Sequence, residues 1–265
     1  MGIVQGLTEF LPVSSSGHLI IVPGLAGWDD PFITSLSFSV MLHIGTLVAL
    51  LLYFRADWLR LVPAGLAAVR DRSLNGDGDR RLAWLIGVAT IPALIVGVLL
   101  NDVVEQQFRE VGLVAIMLVV GGAILWLAEQ RGSRRYLPVD LTFSKALAIG
   151  GAQALALIPG ISRSGISISA GLFAGLDRES AARFSFLMAT PITGAAAVYE
   201  TVKVIRGDFG SAVQIEPLIA GMVASLVSGL IAIAVLLRFL RTRSTNVFVA
   251  YRVVLAAVVL VVWLG

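Results

Sequence analysis

The chain consists mostly of long apolar runs, each separated from the next by a short polar and charged stretch. Six of these runs are continuous and have the length, roughly 20 residues, that an α-helix needs to cross the hydrocarbon core of a bilayer. They lie at residues 35–54, 82–100, 111–128, 184–200, 217–237 and 247–264. The pattern predicts an all-α polytopic membrane protein.

Two further apolar runs are interrupted in the middle by proline, glycine and serine. Residues 1–26 are broken at 12–17, and residues 145–176 are broken at 159–165. Each flank is too short to span a bilayer. Irregular backbone at membrane depth is tolerated only where it is buried in protein or lines a cavity. Both segments are therefore predicted to be re-entrant helix–loop–helix hairpins.

The order of these elements predicts an internal inverted repeat, in which each half is a re-entrant hairpin followed by three spans. The predicted units are a first repeat at 1–128 with hairpin 1–26, a cytoplasmic linker at 129–144, and a second repeat at 145–265 with hairpin 145–176. An odd number of spans per repeat gives the halves opposite orientations. Matched broken segments of this kind indicate a binding site between the halves, near the midplane. Aligning Pro12 with Pro159 pairs Ser15 with Ser162.

The basic residues orient the predicted spans. Only 14% of residues are charged, well below the roughly 25% of a soluble domain. The loops rich in Lys and Arg are 55–81, 129–145, 177–183 and 238–243, whereas 101–110 and 201–216 hold few. By the positive-inside rule, the first group is cytoplasmic and the second is external. Because topology explains the net charge of +3, no nucleic-acid partner is predicted. The chain has no cysteine, which excludes disulfides and Cys-ligated zinc or iron–sulfur sites.

The first broken segment carries a carboxylate at a position where lipid would disfavour it. Ionisable groups at membrane depth indicate a functional site. Gln5 and Glu9 are four residues apart, so on a helix they face the same way. Glu9 is a candidate general base or ligand of a divalent cation, with Gln5 as a second candidate ligand. The alternative is a charge lying at the membrane interface.

The turn that follows is polar and leads into a second helix near His18. Its residues are Ser14, Ser15, Ser16 and Gly17. A serine here can be an N-cap, while the backbone N–H groups and the positive helix end form an anion site. His18 can exchange a proton near neutral pH, although a lone membrane histidine is more often a hydrogen-bond donor. His43, inside a regular span, is expected to make a structural hydrogen bond, with the pocket wall as one partner to consider.

The second broken segment carries a guanidinium at Arg163. A bidentate phosphate or diphosphate fits its planar fork. The alternative is an ion pair with Glu9, and the two interpretations are compatible if substrate or metal replaces that pair. The flanking Gly160, Ser162 and Ser164 are further candidates for binding phosphate.

Together these residues predict a pocket for a phosphorylated anion, which two classes of protein use. A transporter or flippase for an anion or a phosphorylated lipid would use paired hairpins and helix ends at the midplane. An enzyme would also need a nucleophile beside a proton acceptor, and Ser15 with Glu9 or His18 supplies both. This clustering favours the enzyme.

Two ordered motifs resemble the signatures of a known family. They are Gln5-x-x-x-Glu9 followed by Phe-Leu-Pro-Val-Ser-Ser-Ser-Gly-His18, and Pro159-Gly-Ile-Ser-Arg163-Ser-Gly. They are similar to the signatures of the undecaprenyl pyrophosphate phosphatases of the bacitracin-resistance type, and the resemblance extends over essentially the whole chain. The first signature position in that family is Glu or Gln, so Gln5 is a permitted variant. It weakens any mechanism that needs two carboxylates there.

The resemblance implies a bacterial inner-membrane enzyme that removes the terminal phosphate of undecaprenyl diphosphate and regenerates the monophosphate carrier for cell-wall polymers. It implies Glu9, Ser15, His18 and Arg163 as active residues, Mg²⁺ or Ca²⁺ as cofactor, and a site reached from the external face. The expected partners are the prenyl diphosphate substrate and membrane lipids, with a homodimer as an open alternative. Either Ser15 attacks phosphorus while His18 or Glu9 takes its proton, or water attacks and Ser15 positions the phosphate.

Overall fold

A computed structural model describes residues 1–75, 78–107, 110–206 and 214–264, and within them every regular element is a helix. The α-helices are α1 (Gly2–Phe10), α2 (Ser15–Ala26), α3 (Leu36–Tyr53), α4 (Arg55–Arg70), α5 (Gly78–Gln107), α6 (Val111–Arg131), α7 (Phe143–Ala154), α8 (Arg163–Phe173), α9 (Arg178–Arg206), α10 (Ile215–Leu240) and α11 (Asn246–Leu264). Short 3₁₀ turns lie at Pro138–Asp140 and Leu155–Leu157.

The long helices identify the structural class of the protein. In the described part of the chain, α5, α6, α9, α10 and α11 are each long and apolar enough to cross a membrane. The helices α3 and α4 form a pair bent by 80° that adds a sixth span when it is counted as one. The protein is therefore an all-α polytopic membrane protein. Helices α5 and α9 extend beyond the predicted spans 82–100 and 184–200, because flanking polar residues continue the helix past the apolar window.

The hairpins α1–α2 and α7–α8 are packed into the protein by close helix contacts. Helix α1 packs on α10, and α7 packs on α5. A Cβ atom added at Gly6 of α1 would lie 2.0 Å from Ser228 Oγ, and one added at Gly150 of α7 would lie 1.9 Å from the Ala89 carbonyl oxygen. Small residues allow this approach between membrane helices. The first helix of each predicted repeat thus packs against the penultimate helix of the other.

The two hairpin turns, residues 11–14 and 158–162, end in the same local structure. Ser14 and Ser162 both have positive φ angles, 75° and 76°, which are uncommon for residues other than glycine. Each serine is an N-cap that accepts a hydrogen bond from the backbone N–H three residues later, which satisfies a free helix-end donor.

This equivalence corrects the alignment drawn from the sequence. Ser162 corresponds to Ser14 and not to Ser15, because the second turn has one more residue between its proline and its cap than the first. The additional length is accommodated at Gly160, where φ is 99°. As a result, Ser15 corresponds to Arg163, and these are the first residues of α2 and α8.

The arginine-rich ends of three helices are joined by one buried carboxylate. Glu129, near the end of α6, is 3% exposed. It accepts hydrogen bonds from Arg134, from Arg178 at the start of α9, and from the Thr245 hydroxyl just before α11 at 2.9 Å. This network fixes the ends of α6, α9 and α11 relative to one another, on the side opposite to the predicted external loops.

Candidate active site

The carboxylate of Glu9 lies at the centre of a polar cluster inside the helix bundle. Glu9 is 6% exposed. Its Oε2 accepts hydrogen bonds from Ser15 Oγ at 2.5 Å and from Gln5 Nε2 at 3.0 Å, and its Oε1 accepts from Arg163 Nη2 at 2.8 Å. The structure thus brings together four of the residues singled out from the sequence.

Local structure explains why these side chains meet. Gln5 lies one helical turn before Glu9 on α1, so the two share a face. Ser15 and Arg163 directly follow the serine caps of α2 and α8. Each hairpin therefore contributes the first residue of its returning helix to the same carboxylate.

The two hairpin turns are in direct contact with each other. The backbone N–H of Gly160 donates to Ser14 Oγ at 3.2 Å, and Ser164 Oγ donates to the Leu11 carbonyl oxygen at 3.0 Å. The N-termini of α2 and α8 are thereby held side by side. Helix N-termini carry partial positive charge and free N–H donors, so the pair favours an anion.

The remaining predicted phosphate-binding residues lie within these caps. The Oγ atoms of Ser14 and Ser16 are 3.3 Å apart, as are those of Ser162 and Ser164. The N–H of Gly17 donates to Ser14 Oγ. These groups shape the two helix starts, and their role in binding phosphate stays a prediction.

One histidine of the cluster was expected from the sequence to have only a structural role. His43 of α3 places Nε2 3.4 Å from Glu9 Oε2, while its Nδ1 lies 2.9 Å from the Ser39 carbonyl oxygen. The Ser39 contact is a structural hydrogen bond of the kind expected. The contact with Glu9 places His43 in the site, and no local motif indicates it, because the partner is 34 residues away.

His18 has different partners from those that its proposed role requires. Its Nδ1 lies 2.7 Å from the Ser14 carbonyl oxygen, its Nε2 lies 2.7 Å from the Tyr251 hydroxyl, and its ring stacks on that of Tyr251. Both ring nitrogens are therefore engaged. Within the described residues, no hydrogen bond links His18 to Ser15 or Glu9, so the histidine placed beside the carboxylate is His43.

A buried arginine next to the two hairpin turns was not singled out from the sequence. The side chain of Arg252, on α11, is fully buried. It donates hydrogen bonds to backbone carbonyl oxygens of both hairpin turns and of α6: Pro12, Gly160, Ile161, Met117 and Leu118. The sequence did contain an indication of this role: Arg252 lies inside an apolar run, and a charged side chain at membrane depth needs hydrogen-bond or ion-pair partners. Through these hydrogen bonds the guanidinium links the two hairpin turns.

Two buried polar atoms of the cluster have no protein partner among the described residues: Gln5 Oε1 and Arg163 Nη1. One is an acceptor and the other a charged donor, so they suit a cation and a phosphate oxygen, respectively. No group of three or more His, Asp or Glu that could hold a metal occurs in the described ranges. Glu9 and Gln5 would supply two oxygen ligands, and Mg²⁺ is commonly held by one or two carboxylates together with water and substrate phosphate. The residues present therefore fit such an ion.

The sequence of the chain is similar to those of known proteins along almost its whole length. The family model described as bacitracin resistance protein BacA matches residues 1–258. The chain is 46% identical to the undecaprenyl-diphosphatase of Desulforudis audaxviator (strain MP104C), over 99% of this chain and 95% of that protein. It is also 46% identical to the undecaprenyl-diphosphatase of Gemmatimonas aurantiaca, over 98% and 94%, and 43% identical to that of Myxococcus xanthus, over 98% and 86%.

The chain belongs to the bacitracin resistance protein BacA family. The part that matches the family model contains every residue of the cluster around Glu9, both hairpin turns, and Arg252. The candidate site is therefore built entirely from sequence that the family model covers.

Proposed function

We propose that this protein hydrolyses undecaprenyl diphosphate to undecaprenyl phosphate and inorganic phosphate, and so recycles the lipid carrier for cell-wall synthesis. One observation carries the proposal. In a chain that is 46% identical to undecaprenyl-diphosphatases, Ser15 Oγ is hydrogen-bonded to the buried Glu9 carboxylate, whose other oxygen is paired with Arg163.

The positively charged groups of the cluster would bind the diphosphate. Arg163 uses Nη2 for Glu9 and leaves Nη1 without a protein partner. That nitrogen, with the adjoining N-termini of α2 and α8, would hold the terminal phosphate. Catalysis of phosphoryl transfer depends mainly on positioning and on neutralising the charge of the phosphate oxygens. Arg163 and the two helix starts would supply part of this neutralisation.

The chemical step uses the hydrogen bond between Ser15 and Glu9. Ser15 Oγ transfers its proton to Glu9 and forms a bond to the terminal phosphorus, while the bond from that phosphorus to the bridging oxygen breaks and prenyl monophosphate leaves. Water then attacks the phosphorus of the phosphoserine, the bond between phosphorus and Ser15 Oγ breaks, Glu9 returns its proton to Oγ, and inorganic phosphate leaves. In the competing version, water attacks the diphosphate directly and Ser15 positions it. His43 Nε2 lies 3.4 Å from the same carboxylate oxygen, where it would exchange a proton with Glu9.

The proposal includes a divalent cation, Mg²⁺ or Ca²⁺. Glu9 and the free Gln5 Oε1 would hold it. When bound, the ion would neutralise negative charge on the diphosphate.

The proposal also includes a place and a direction of access. The family resemblance implies a bacterial inner membrane and a site reached from its external face, and the positive-inside rule assigns the arginine-rich helix ends to the cytoplasm. A homodimer stays a prediction.

Phosphate release from a prenyl diphosphate by the purified protein in detergent tests this function. Release is expected to require a divalent cation, to stop with EDTA, and to return when Mg²⁺ or Ca²⁺ is restored. Arg163→Ala should abolish it, whereas Arg131→Ala, which removes an exposed arginine at the end of α6, should not. If folded protein releases no phosphate with any cation, the enzyme is excluded and a lipid-phosphate transporter is favoured.

A further inference from the structure

A polar cavity that shares no lining residue with the Glu9 cluster lies at the arginine-rich ends of α3, α9 and α10. Its volume is about 400 Å³, within the range of small-molecule sites. Its polar lining residues are Tyr53, Glu179, Arg183, Arg238 and Arg241. None of these residues takes part in the proposed hydrolysis.

The lining carries excess positive charge, since it holds three arginines and one carboxylate, and one further carboxylate, Asp57, contacts it from outside the lining. Arg241 is satisfied by a bidentate pair with Glu179, at 2.9 and 3.0 Å. Arg183 uses only Nη2 to contact Asp57, at 3.0 and 3.1 Å. Its guanidinium lies over the Phe54 ring, 5.4 Å from the ring centroid, and its remaining N–H groups make no hydrogen bond within the described part of the chain.

Arg238 is the strongest indication of a ligand. It is exposed, and it makes no hydrogen bond or ion pair with any residue in the described part of the chain. An arginine fork with free donors beside a second arginine matches the oxygens of a phosphate monoester or diester.

The surface next to the cavity is apolar in a way that suits a lipid. Helix α10 presents a stripe of side chains at every fourth position, each more than half exposed: Ile219, Val223, Val227, Ile231 and Val235. Residues with this spacing lie on one face of a helix. The stripe ends one turn before Arg238. A molecule with a phosphate headgroup in the cavity could therefore lay an acyl chain along α10.

We propose that this cavity binds the phosphate headgroup of an anionic membrane phospholipid, with Arg238 and Arg183 as ligands and the α10 stripe in contact with an acyl chain. Basic pockets between membrane helices on the cytoplasmic side are suited to such headgroups, because that leaflet is rich in anionic lipid. The inference does not depend on the phosphatase activity, and it is tested by binding in the absence of substrate.

Native mass spectrometry of delipidated protein tests it, with phosphatidylglycerol and phosphatidylcholine of the same acyl chains as probes. The wild type should bind the first phosphatidylglycerol at least about fivefold more tightly than phosphatidylcholine, since one surface arginine contributes roughly that factor. Arg238→Gln should remove most of this preference, and Arg238→Glu should abolish it. Arg131→Gln is the matched control, an exposed arginine at another arginine-rich helix end, and should keep the preference.

The outcomes separate the possible occupants. Equal affinity for the two lipids, or equal effects of Arg238→Gln and Arg131→Gln, would overturn the proposal. Inorganic phosphate at millimolar concentration should leave the bound lipid in place. If it displaces phosphatidylglycerol from the wild type, the cavity is a site for free phosphate and the lipid assignment fails. The thermal midpoint of each variant should match that of the wild type, because Arg238 makes no contact that folding needs.

Discussion

Ser14 and Ser162 have almost the same φ angle, 75° and 76°, and each caps the helix that follows it. The equivalence places Ser15 and Arg163 at the same position of the two hairpins. Both contact Glu9, one through each carboxylate oxygen. The repeated backbone therefore presents two different chemical groups to one carboxylate: the candidate nucleophile comes from one hairpin and the candidate phosphate-binding cation from the other.

The two histidines should differ in their effect on turnover. His43→Gln removes the group beside Glu9 and should lower kcat for phosphate release by about 10²-fold or more, the scale of acid–base contributions. His18→Gln should lower it less, because His18 contacts Ser14 and Tyr251. Tyr251→Phe, which removes only the hydroxyl partner of His18, should reproduce the His18→Gln effect. A large loss with His18→Gln alone, with His43→Gln near wild type, would assign the proton transfer to His18.

Arg252 should be required for the stability of the paired turns. Lysine keeps the charge but cannot reach the five carbonyl oxygens that the guanidinium contacts. Each buried acceptor left without a donor costs about 1–3 kcal/mol. Arg252→Lys should therefore lower the free energy of unfolding by at least about 2 kcal/mol, measured by denaturant unfolding in mixed micelles. Arg131→Lys, on the surface, should leave it unchanged. Wild-type stability for Arg252→Lys would show that the turns are held by other contacts.

The close contact between α7 and α5 gives a matched pair of glycine substitutions. In Gly150→Ala, the new Cβ would lie 1.9 Å from the Ala89 carbonyl oxygen, whereas a Cβ at Gly151 meets nothing within 4 Å. Gly150→Ala should destabilise the protein by about 1–3 kcal/mol, the usual cost of overpacking. Gly151→Ala should be neutral or slightly stabilising, since alanine favours helix. Thermal unfolding of both variants measures the difference, and equal midpoints would contradict the packing.

Much of this organisation is predictable from local pattern. The apolar runs indicate the long helices, and the interruptions at 12–17 and 159–165 indicate the hairpin turns. Glu9 and Arg163 stand out because charges at membrane depth need partners. Each of these features is visible within a few neighbouring residues.

Long-range contacts were the part that could not be predicted. His43 reaches Glu9 across 34 residues, and Arg252 reaches Pro12 across 240. Nothing in the sequence around His43 or Arg252 indicates which distant residue it contacts. The alignment of the hairpins was wrong by one residue, because proline was used as the reference and the second turn is longer. Cap geometry at Ser14 and Ser162 sets the correct register.

Ser15 is the candidate nucleophile, and the most direct test of its role is the initial rate of phosphate release from a prenyl diphosphate by Ser15→Ala in saturating Mg²⁺ or Ca²⁺. The control is Ser144→Ala, an exposed serine at the start of α7. If Ser15 is the nucleophile held by Glu9, its loss should lower kcat by about 10³-fold or more, with Ser144→Ala at the wild-type rate. Full turnover by folded Ser15→Ala would contradict the account.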